Sequence, residues 1–529
     1  MIGILSFVGF TLLVGLIAYL STRKTDENTS DGYFLGGRSL TAVVIAGSLL
    51  LTNLSTEQIV GLNGQSYTEG ILVMAWETFA AIAMVITAIF LLPRYLKGGL
   101  TTIPQFLARR YDITTKTITS ALFLSGYVVV LLPIVLYSGS LAISTMFDVP
   151  ELLGVSKNAA LWICVWGIGI IGAIYAVFGG LKAVAVSDTI NAVGLLIGGL
   201  MIPVFGLMEI GNGDMLAGIN ELFRDNPEKF NAIGDSKASV PFSTIFTGML
   251  LVHLFYWGTN QAIIQRALGA KNLKEGQKGL LLGSFIKILG PLIVVVPGII
   301  AFHLFGGTLD NADEAYPKLV SKVLPLSLVG FFAAVLFGAI LSSFNSALNS
   351  SVTLFGIDIY KQYFKKDATE KETVKAGKTF GIILALFAMF IAPFIQYVEG
   401  GLFAYLQEVN GCYSIPILTI IVVGYATKRV PAIAAKVAII SGVVLYSISQ
   451  FILKPFVFGE ENYLHFLHVM AILFVLNIII MLIIGRLYPR STDYVQEFTK
   501  EVDISPWKFA KIAGIGIVAI VIAVYAYFS

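Results

Sequence analysis

The sequence predicts an all-α membrane protein with about fourteen transmembrane helices. Three observations lead to this prediction: the composition, the number of long apolar segments, and two of those segments that polar residues interrupt. Hydrophobic residues make up 57% of the 529 residues and charged residues only 13%. Because a soluble globular protein carries about 25% charged residues, that class is excluded.

The apolar segments are mostly about 20 residues or longer, which is the length that a helix needs to cross the hydrocarbon core. The first segment has neither a basic leader nor a small-residue cleavage site, so we expect a retained helix instead of a signal peptide. The segments begin near residues 2, 40, 71, 117, 158, 185, 241, 278, 323, 374, 400, 431, 463 and 509.

Lys and Arg residues predict the orientation in the membrane. With the loops assigned alternately to two sides, most of the 35 basic residues fall on one side, and the positive-inside rule makes that side cytoplasmic. We therefore expect a multi-pass protein of the inner (plasma) membrane with both termini outside the cytoplasm. The basic side includes Arg23, Lys24, Arg94, Arg109, Arg110, Arg266, Lys271, Lys365, Lys366, Lys428 and Arg429.

The first interrupted segment is residues 45–67, IAGSLLLTNLSTEQIVGLNGQSY. Polar groups at membrane depth are costly unless they line a cavity. We therefore expect a broken helix whose gap holds ions and substrate, because the facing half-helix ends offer free carbonyl and N–H groups. The alternative is a polar seam that joins helices. The residues concerned are Thr52, Asn53, Ser55, Thr56, Glu57 and Gln58.

Segment seven repeats this pattern, with polar and aromatic residues from His253 to Gln261 after an apolar start. Each interrupted segment opens a group of five segments, and an odd number forces the second group into inverted topology. We expect an N-terminal extra helix and loop (1–37), a first repeat (38–210), an external loop (211–240), an inverted second repeat (241–427) and C-terminal extra helices (428–529). The external loops 211–240 and 306–322 are expected to be solvated linkers, with a lid as the alternative.

Segment nine carries a polar face. Ser342, Asn345, Ser346 and Asn349 are spaced by three and four residues and share one side of a helix. The neutral hydroxyls of Ser342 and Ser343, next to carbonyls at a helix break, suit Na⁺. The alternative is small-residue packing, with each hydroxyl bonded back to its own helix.

Further polar residues must be hidden by apolar segments: Glu77, Lys287, Asp188 and Gln407. Charges at membrane depth pair with one another or contact substrate. With the aromatic residues Trp76, Tyr256 and Trp257, they form the set that a sugar needs, with donors and acceptors for hydroxyls and flat faces for C–H surfaces. Alternatively, Glu77 and Lys287 form an internal salt bridge, and Asp188 stabilises a helix start.

Other function classes find little support. The sequence contains no nucleophile–base pair, zinc spacing or phosphate loop, and only four His, so an enzyme is disfavoured. Cys164 and Cys412 are too few for a disulfide framework. The basic residues indicate topology and not a nucleic-acid partner. The sequence does not determine an oligomeric state.

Seven motifs are spread along the chain from residue 33 to residue 408: YFLGGRSL, NLSTEQ, TTIPQFLARRY, YAVFGGLKAVAVSD, YWGTNQAIIQRAL, AILSSFNSALNSS and the YLQE of residues 405–408. In type and order they resemble motifs of the solute:sodium symporters, in the branch of the bacterial sodium/galactose and human sodium/glucose cotransporters. The resemblance implies a leucine-transporter-type fold, Na⁺ as the coupling ion and import of a hexose or modified hexose by alternating access.

The resemblance also implies roles for individual residues. Na⁺ would be held by carbonyls of Leu51, Leu54 and Ala339 and by the hydroxyls of Ser342 and Ser343. Asp188, Ser346 and Asn345 would belong to a second Na⁺ site or an exit path, although Asn345 stands where two-sodium members have Ser. The sugar would contact Gln58, Glu77, Lys287 and Gln407, with His253, Asn53 and Trp76 nearby and Tyr256 and Trp257 as the gate.

Three positions depart from the galactose pattern, where Ala80 and Leu131 lose hydrogen-bonding groups and His253 replaces Asn. The sugar itself therefore stays open. Within the family, the alternatives are symport of sialic acid, proline or pantothenate. In a different class, the alternative is a non-transporting membrane sensor, although no signalling domain fits in the chain.

Overall fold

The computed structural model describes residues 2–22, 29–309, 312–397, 402–459 and 462–529. Helices dominate these residues, where the only bridge between extended segments is an isolated parallel pair, Leu40 and Ala270. The all-α prediction is therefore confirmed. The predicted cytoplasmic Arg23 and Lys24 lie outside the described residues.

We number the α-helices of eight or more residues in chain order. They are α1 (Ile2–Thr22), α2 (Ala42–Asn53), α3 (Thr56–Glu69), α4 (Ala75–Ile86), α5 (Ile103–Arg110), α6 (Ile113–Gly126), α7 (Leu132–Met146), α8 (Lys157–Ile210), α9 (Met215–Asp225), α10 (Gly248–Gly258), α11 (Gln261–Leu268), α12 (Leu273–Lys287), α13 (Val296–Phe305), α14 (Ala315–Val323), α15 (Leu326–Thr353), α16 (Glu370–Ile391), α17 (Leu402–Ala426), α18 (Ala432–Ile448), α19 (Phe466–Leu487) and α20 (Ala510–Tyr527). Shorter, 3₁₀ or π-helical pieces join them at Ser30–Leu35, Gly36–Arg38, Gly70–Met74, Thr87–Leu91, Leu92–Lys97, Tyr127–Leu131, Val149–Leu153, Pro227–Phe230, Phe242–Phe246, Gly290–Val294, Ala312–Glu314, Leu354–Phe364, Ala392–Tyr397 and Ser449–Phe458.

Ten helical stretches of the described residues are long and apolar enough to cross a membrane. Leu273–Lys287 and Gly290–Phe305, bent by 49°, make an eleventh span when they are counted together. Three shorter apolar helices are Val8–Ser21, Ala42–Asn53 and Gly248–Gly258. These elements together account for all fourteen apolar segments. The protein is therefore a multi-pass membrane protein.

The fifth and sixth predicted segments form one continuous helix, α8. Within it, Lys157–Ala176 and Leu181–Ile210 each qualify as a span. Asp188 consequently lies about 30 residues inside a helix, where no free N–H groups remain for a carboxylate to cap. The alternative that placed Asp188 at a helix start is therefore wrong.

Both interrupted helices are present. The first break separates α2 from α3 at Leu54 and Ser55, where the backbone of Ser55 is extended (φ −81°, ψ 173°). The second break separates α10 from α11 at Thr259 and Asn260, and the Asn260 side chain caps α11 by accepting from the backbone N–H of Ala262 at 3.0 Å. The broken-helix prediction is confirmed at both places.

Each of the two loops expected to be solvated linkers contains a short helix. The first contains α9, and the second contains α14, which buries Tyr316, Leu319 and Val320. Helix α14 packs against α3, the second half of the first broken helix. Residues 211–240 are mostly exposed, which is compatible with a solvated linker, whereas the second loop is partly buried through α14.

The helices around the first break come from both halves of the chain. Helix α15 packs against α8 and α2, and α12 packs against α2 and α4, while α10 packs against α4. Residues that are distant in sequence therefore converge on the gap between α2 and α3.

Candidate functional site

Four polar side chains form a closed ring beside the first break. Asn53, the last residue of α2, donates from Nδ2 to Oε1 of Gln58 at 3.0 Å. Gln58, in the first turn of α3, donates to Oε1 of Glu77, and Lys287 donates to both Oε2 of Glu77 and Oδ1 of Asn53. The structure thus brings together four of the predicted sugar contacts.

All four members of the ring are buried, and Glu77 and Lys287 are at most 1% exposed. A buried ion pair is tolerated only when its remaining donors and acceptors are also bonded, and the two amides supply those bonds. The packing is close enough that a β-carbon at Gly290 would overlap the Glu77 carboxylate. The internal salt bridge expected as an alternative is present, but as part of a ring located at the helix break.

Aromatic side chains cover the ring. Nζ of Lys287 lies 5.8 Å from the centre of the Trp257 ring, and Tyr256 meets Trp257 edge to face at 5.2 Å. Trp76 packs edge to face on His253 at 5.9 Å. Flat apolar faces beside hydrogen-bonding groups are the usual lining of a site for a small polar organic molecule.

Two further predicted sugar contacts, His253 and Gln407, are not members of the ring. Nε2 of His253 is buried and has no hydrogen-bond partner among the described residues, so it is available to a bound molecule. Gln407 is half-buried near the start of α17. Within the described part of the chain, no hydrogen bond joins it to the ring, so the structure does not bring Gln407 together with Glu77 and Lys287.

Two of the predicted Na⁺ ligands, Ser342 and Ser343, contact the end of α2 at the first break. The hydroxyl of Ser343 donates to the carbonyl of Thr52 at 2.9 Å, and the Thr52 hydroxyl lies 3.2 Å from Oγ of Ser342. Leu51, Leu54 and Ala339 are buried along the same helices. The last carbonyls of a helix lack partners within it, and together with hydroxyls they form the neutral oxygen set that suits Na⁺.

Part of the small-residue alternative is visible too. Oγ of Ser346 donates back to the Ser342 carbonyl at 2.5 Å, and Ser351 bonds back to Ala347 at 2.8 Å. Ser343 instead reaches across to α2. The polar face of α15 therefore combines bonds within its own helix and bonds to the break.

Asp188 and Ser346, assigned to a second Na⁺ site or an exit path, both face Arg266. The Arg266 guanidinium donates to Ser346, and to Ser48 at 3.0 Å, and lies 3.9 Å from Oδ2 of Asp188. Ser48 donates to the same carboxylate oxygen at 2.7 Å. A cation of the protein itself therefore occupies the space between these residues.

Asn345, the third residue of that set, lies apart from Arg266. Its Oδ1 is buried without a hydrogen-bond partner among the described residues. Asn345 lines a cavity of about 110 Å³ together with Ser342, Ser187 and Asn191. The cavity adjoins the predicted Na⁺ ligand Ser342, but most of its lining is apolar, including Ile171, Phe337 and Leu341.

Sequence reasoning gave no individual site role to four residues of this region. Arg266 counted only as a cytoplasmic topology signal, whereas the structure buries it to 1% exposure and bonds it to Ser48 and Ser346. Thr52 and Glu57 lie in the polar patch that predicted the break, and Oε2 of the buried Glu57 lacks a partner within the described residues. Ser48 lies in an apolar stretch one turn before Thr52 and gave no signal of its own.

One further group of side chains has metal-ligand character. Ligand atoms of Glu221, Asp225 and His303 lie within 4.8 Å of one another. The group lies on α9 and α13, at the loop predicted to be external, and Asn226 hydrogen-bonds Nδ1 of His303 at 2.9 Å. It is separate from the predicted Na⁺ ligands, and we assign it no role.

Comparison with known proteins places the chain in a family. The family model described as "SSF: Sodium:solute symporter family" matches residues 33–442. The chain is 49% identical to "Uncharacterized symporter YidK" of Escherichia coli (strain K12), over 99% of this chain and 90% of that protein. It is 33% identical to the "Sodium/glucose cotransporter" of Vibrio parahaemolyticus, over 83% and 82% of the two chains.

Solved structures show the fold. A Na⁺-coupled sialic acid symporter in a substrate-bound outward-open state superposes with a TM-score of 0.78, at 19% identity, over 93% of this chain and 99% of that chain. The nucleobase-cation symporter Mhp1 in a closed conformation gives a TM-score of 0.57 at 15% identity, over 88% and 96%. Both carry the leucine-transporter fold, which confirms the predicted fold class. The chain belongs to the sodium:solute symporter family, so that it is a secondary transporter and not an enzyme, with Na⁺ as its coupling ion.

Proposed function

We propose that this protein imports a sugar or a closely related polyol across the plasma membrane together with Na⁺. The observation that carries the proposal is the buried ring of Asn53, Gln58, Glu77 and Lys287. Among its relatives are proteins named sodium/glucose cotransporter and sodium/myo-inositol cotransporter. Both named solutes are polyhydroxylated, and the ring offers the chemistry that such solutes require.

The ring can exchange its internal hydrogen bonds for bonds to a sugar. A carboxylate accepts from two neighbouring hydroxyls, an ammonium donates to a third, and the amides do both. Exchanging one set of good hydrogen bonds for another costs little net free energy, whereas a solute without hydroxyls would leave the charges unpaired. The same carboxylate disfavours solutes with a negative charge, such as sialic acid and pantothenate.

Specificity within the sugars rests on the positions that depart from the galactose pattern. Ala80 is buried and, like Leu131, offers no hydrogen bond from its side chain. His253 presents a free Nε2 instead of an amide. We therefore propose a sugar that differs from galactose where these residues lie, either in one hydroxyl group or in a substituent.

Coupling follows from the shared break. The proposed Na⁺ ligand Leu51 and the proposed sugar contact Asn53 lie two residues apart, on either side of Thr52. An ion that orders this turn also orders the amide that binds the sugar, and linkage makes the effect reciprocal. Each net charge that enters across about 100 mV contributes about 2.3 kcal/mol to uptake.

We further propose that one Na⁺ enters with each solute. Arg266 places a permanent positive charge 3.9 Å from Asp188 and on Ser346, the pair that a second Na⁺ would require. Electrostatic repulsion disfavours an additional cation there. Asp188, Asn345 and Ser346 then belong to the path by which the ion leaves.

The test is uptake by purified protein in proteoliposomes, with and without an inward Na⁺ gradient. We expect Na⁺-dependent accumulation of at least one hexose or polyol from a panel that also contains sialic acid, proline and pantothenate. Uptake of only the last three would contradict the sugar assignment while keeping the family. Absence of Na⁺-dependent uptake of any solute would support the sensor alternative.

A further inference from the structure

The last helix, α20, leaves a groove where it passes α12 and the first turn of α2. The groove has a volume of about 690 Å³ and is lined mainly by apolar side chains, among them Val43, Leu282, Phe285, Ile517 and Ile520. None of its lining residues belongs to the proposed transport site. Nothing in the proposed transport cycle uses it.

The groove opens toward the surroundings of the protein. Val43 is 61% exposed, Phe285 49% and Ile520 40%. Apolar side chains this exposed are expected where a membrane-spanning helix meets hydrocarbon, and a concave apolar surface there is filled by lipid chains because water does not enter the hydrocarbon core. The occupant of the inner part of the groove is therefore an acyl chain.

The length of the groove matches one leaflet. Along α12 the lining runs from Glu275 to Phe285, which at 1.5 Å per residue is about 15 Å. That is half of the hydrocarbon thickness of about 30 Å. The charged end of the groove lies at the start of α12, on the side that the basic residues predict to be cytoplasmic. An acyl chain of the cytoplasmic leaflet fits this span.

The rim carries the only charges of the lining, Glu275 and Lys278, together with Trp507. Nζ of Lys278 lies 3.7 Å from Oε1 of Glu275, and their side chains are 36% and 24% exposed. Both can therefore meet a headgroup while the other carboxylate oxygen of Glu275 stays bonded to the N–H of Ala42 at 2.8 Å. Trp507 suits this depth, since tryptophan concentrates at membrane interfaces.

The walls of the groove are held in place by specific contacts. The N–H of Trp507 donates to Oε1 of Gln277 at 2.8 Å, and the N–H of Leu273 donates to the carbonyl of Asp503 at 2.9 Å. A β-carbon at Gly514 would meet Val85 of α4, whereas one at Gly516 would have nothing within 4 Å. Helix α20 packs against both α4 and α12, while its side at Gly516 stays open, so the groove is part of the fold.

We propose that this groove binds one phosphatidylethanolamine molecule of the cytoplasmic leaflet. Its phosphate contacts the ammonium of Lys278, its primary amine donates to Oε1 of Glu275, and one acyl chain lies between α12 and α20. The paired charges select this headgroup. The Glu275 carboxylate disfavours a net negative headgroup, and a quaternary choline has no N–H to donate to it.

Native mass spectrometry of the detergent-purified protein tests the proposal. Phosphatidylethanolamine, phosphatidylglycerol and phosphatidylcholine with identical acyl chains are titrated separately. We expect one tightly bound phosphatidylethanolamine per chain, with the other two lipids weaker. Equal binding of all three would overturn the headgroup assignment, and absence of any tight phosphatidylethanolamine adduct would overturn the site.

Two variants with matched controls locate the lipid. Gly516→Phe introduces a ring into the groove at a position where a β-carbon meets nothing within 4 Å, and it should abolish the tight adduct. Gly167→Phe, at an exposed and equally open position of α8, should keep it. Lys278→Ala should weaken binding about three- to tenfold, the cost of one partly exposed ionic contact, and Lys274→Ala, exposed and outside the lining, should not. Equal loss in both glycine variants, or full binding by Gly516→Phe, would contradict the location.

Discussion

The hydroxyl of Ser343 donates to the carbonyl of Thr52 at 2.9 Å, joining the middle of α15 to the last turn of α2. This bond links a helix of the predicted second repeat to the break in the predicted first repeat. A hydroxyl that donates its proton in this way keeps its lone pairs for a cation. The relationship places Ser343 where Na⁺ can hold two parts of the fold together.

Ser343→Ala should raise the Na⁺ concentration for half-maximal uptake markedly, because the ion loses one oxygen ligand and the break loses its tie to α15. Linkage requires that sugar affinity also lose most of its dependence on Na⁺. The measurement is uptake at varied Na⁺ and sugar concentrations. Ser351→Ala is the matched control, since the Ser351 hydroxyl is buried on the same helix and, among the described residues, bonds only to the Ala347 carbonyl. Unchanged Na⁺ dependence in a folded Ser343→Ala protein would remove Ser343 from the site.

Glu77→Gln and Lys287→Ala should each weaken sugar binding about ten- to a hundredfold, because charge-assisted hydrogen bonds are worth about 1.5 to 3 kcal/mol. Binding of labelled sugar at saturating Na⁺ measures the effect. Thermal stability of the single variants distinguishes a role in sugar binding from a purely structural role. If the pair is only a structural salt bridge, both single variants will lose thermal stability while sugar affinity in the remaining folded protein stays at the wild-type value.

Tyr256→Ala should release bound sugar faster than Tyr256→Phe does. The ring packs edge to face on Trp257 at 5.2 Å, so a gate formed by these residues works by occlusion and stacking rather than through the hydroxyl. Dissociation of labelled sugar from detergent-purified protein measures the rate. Equally accelerated release from both variants would show that the hydroxyl carries the effect and would contradict the gate assignment.

Lys229, in the loop after α9, binds the end of α3. Its ammonium donates to the carbonyls of Tyr67 at 3.1 Å and Thr68 at 2.6 Å and lies 3.8 Å from the centre of the Phe302 ring. Burial lowers the pKa of this lysine, with the nearby carboxylates Glu228 and Glu69 acting in the opposite direction. A cation at a helix C-terminus is favourable because the last carbonyls are free.

Lys229→Met should therefore loosen the outer end of α3, at a cost of about 1 to 2 kcal/mol for a partly buried charge at a helix terminus. The thermal midpoint of the purified protein should fall, and Lys229→Arg should restore much of it. Lys237→Met, exposed in the same loop, is the control. A midpoint lowered equally by Lys237→Met would contradict a specific role for Lys229.

His465, just before α19, holds a second part of the same loop. Its Nδ1 accepts from the N–H of Leu467 at 3.3 Å, so the neutral ring carries its proton on Nε2 and donates to the Ser239 carbonyl at 3.1 Å. Burial lowers the pKa of His465 to about 4, and neighbouring His468 and Lys454 act in the same direction. Protonation of Nδ1 would remove the bond to Leu467.

The sign of the pH effect follows. The stabilisation is complete above the unfolded pKa of about 6.5 and is lost as pH falls toward about 4, amounting at most to about 3 kcal/mol. We expect wild type to be more thermostable than His465→Gln at pH 7.5, with the difference shrinking at pH 5. A difference that is constant between these pH values would show that folding does not lower the pKa of His465.

The sequence determined the number of apolar segments and both helix breaks, because burying polar groups in hydrocarbon is costly enough that a patch such as Thr52 to Gln58 has few tolerable structures. It also pointed to Glu77, Lys287 and Ser343, since charges and clustered hydroxyls within apolar runs need partners. These signals are local, because each of them can be recognised within one segment of the chain. The division of the chain at 38–210 and 241–427 stays a prediction.

Only the tertiary structure decided which of these groups meet. Arg266 has the local pattern of a loop residue, and its burial against Asp188 depends on contacts between residues 78 positions apart. Gln407 has the same local character as Gln58, yet only Gln58 joins the ring of Glu77 and Lys287. The physical reason is that hydrogen-bond partners are fixed by how helices pack, and packing depends on the shapes of all the helices together.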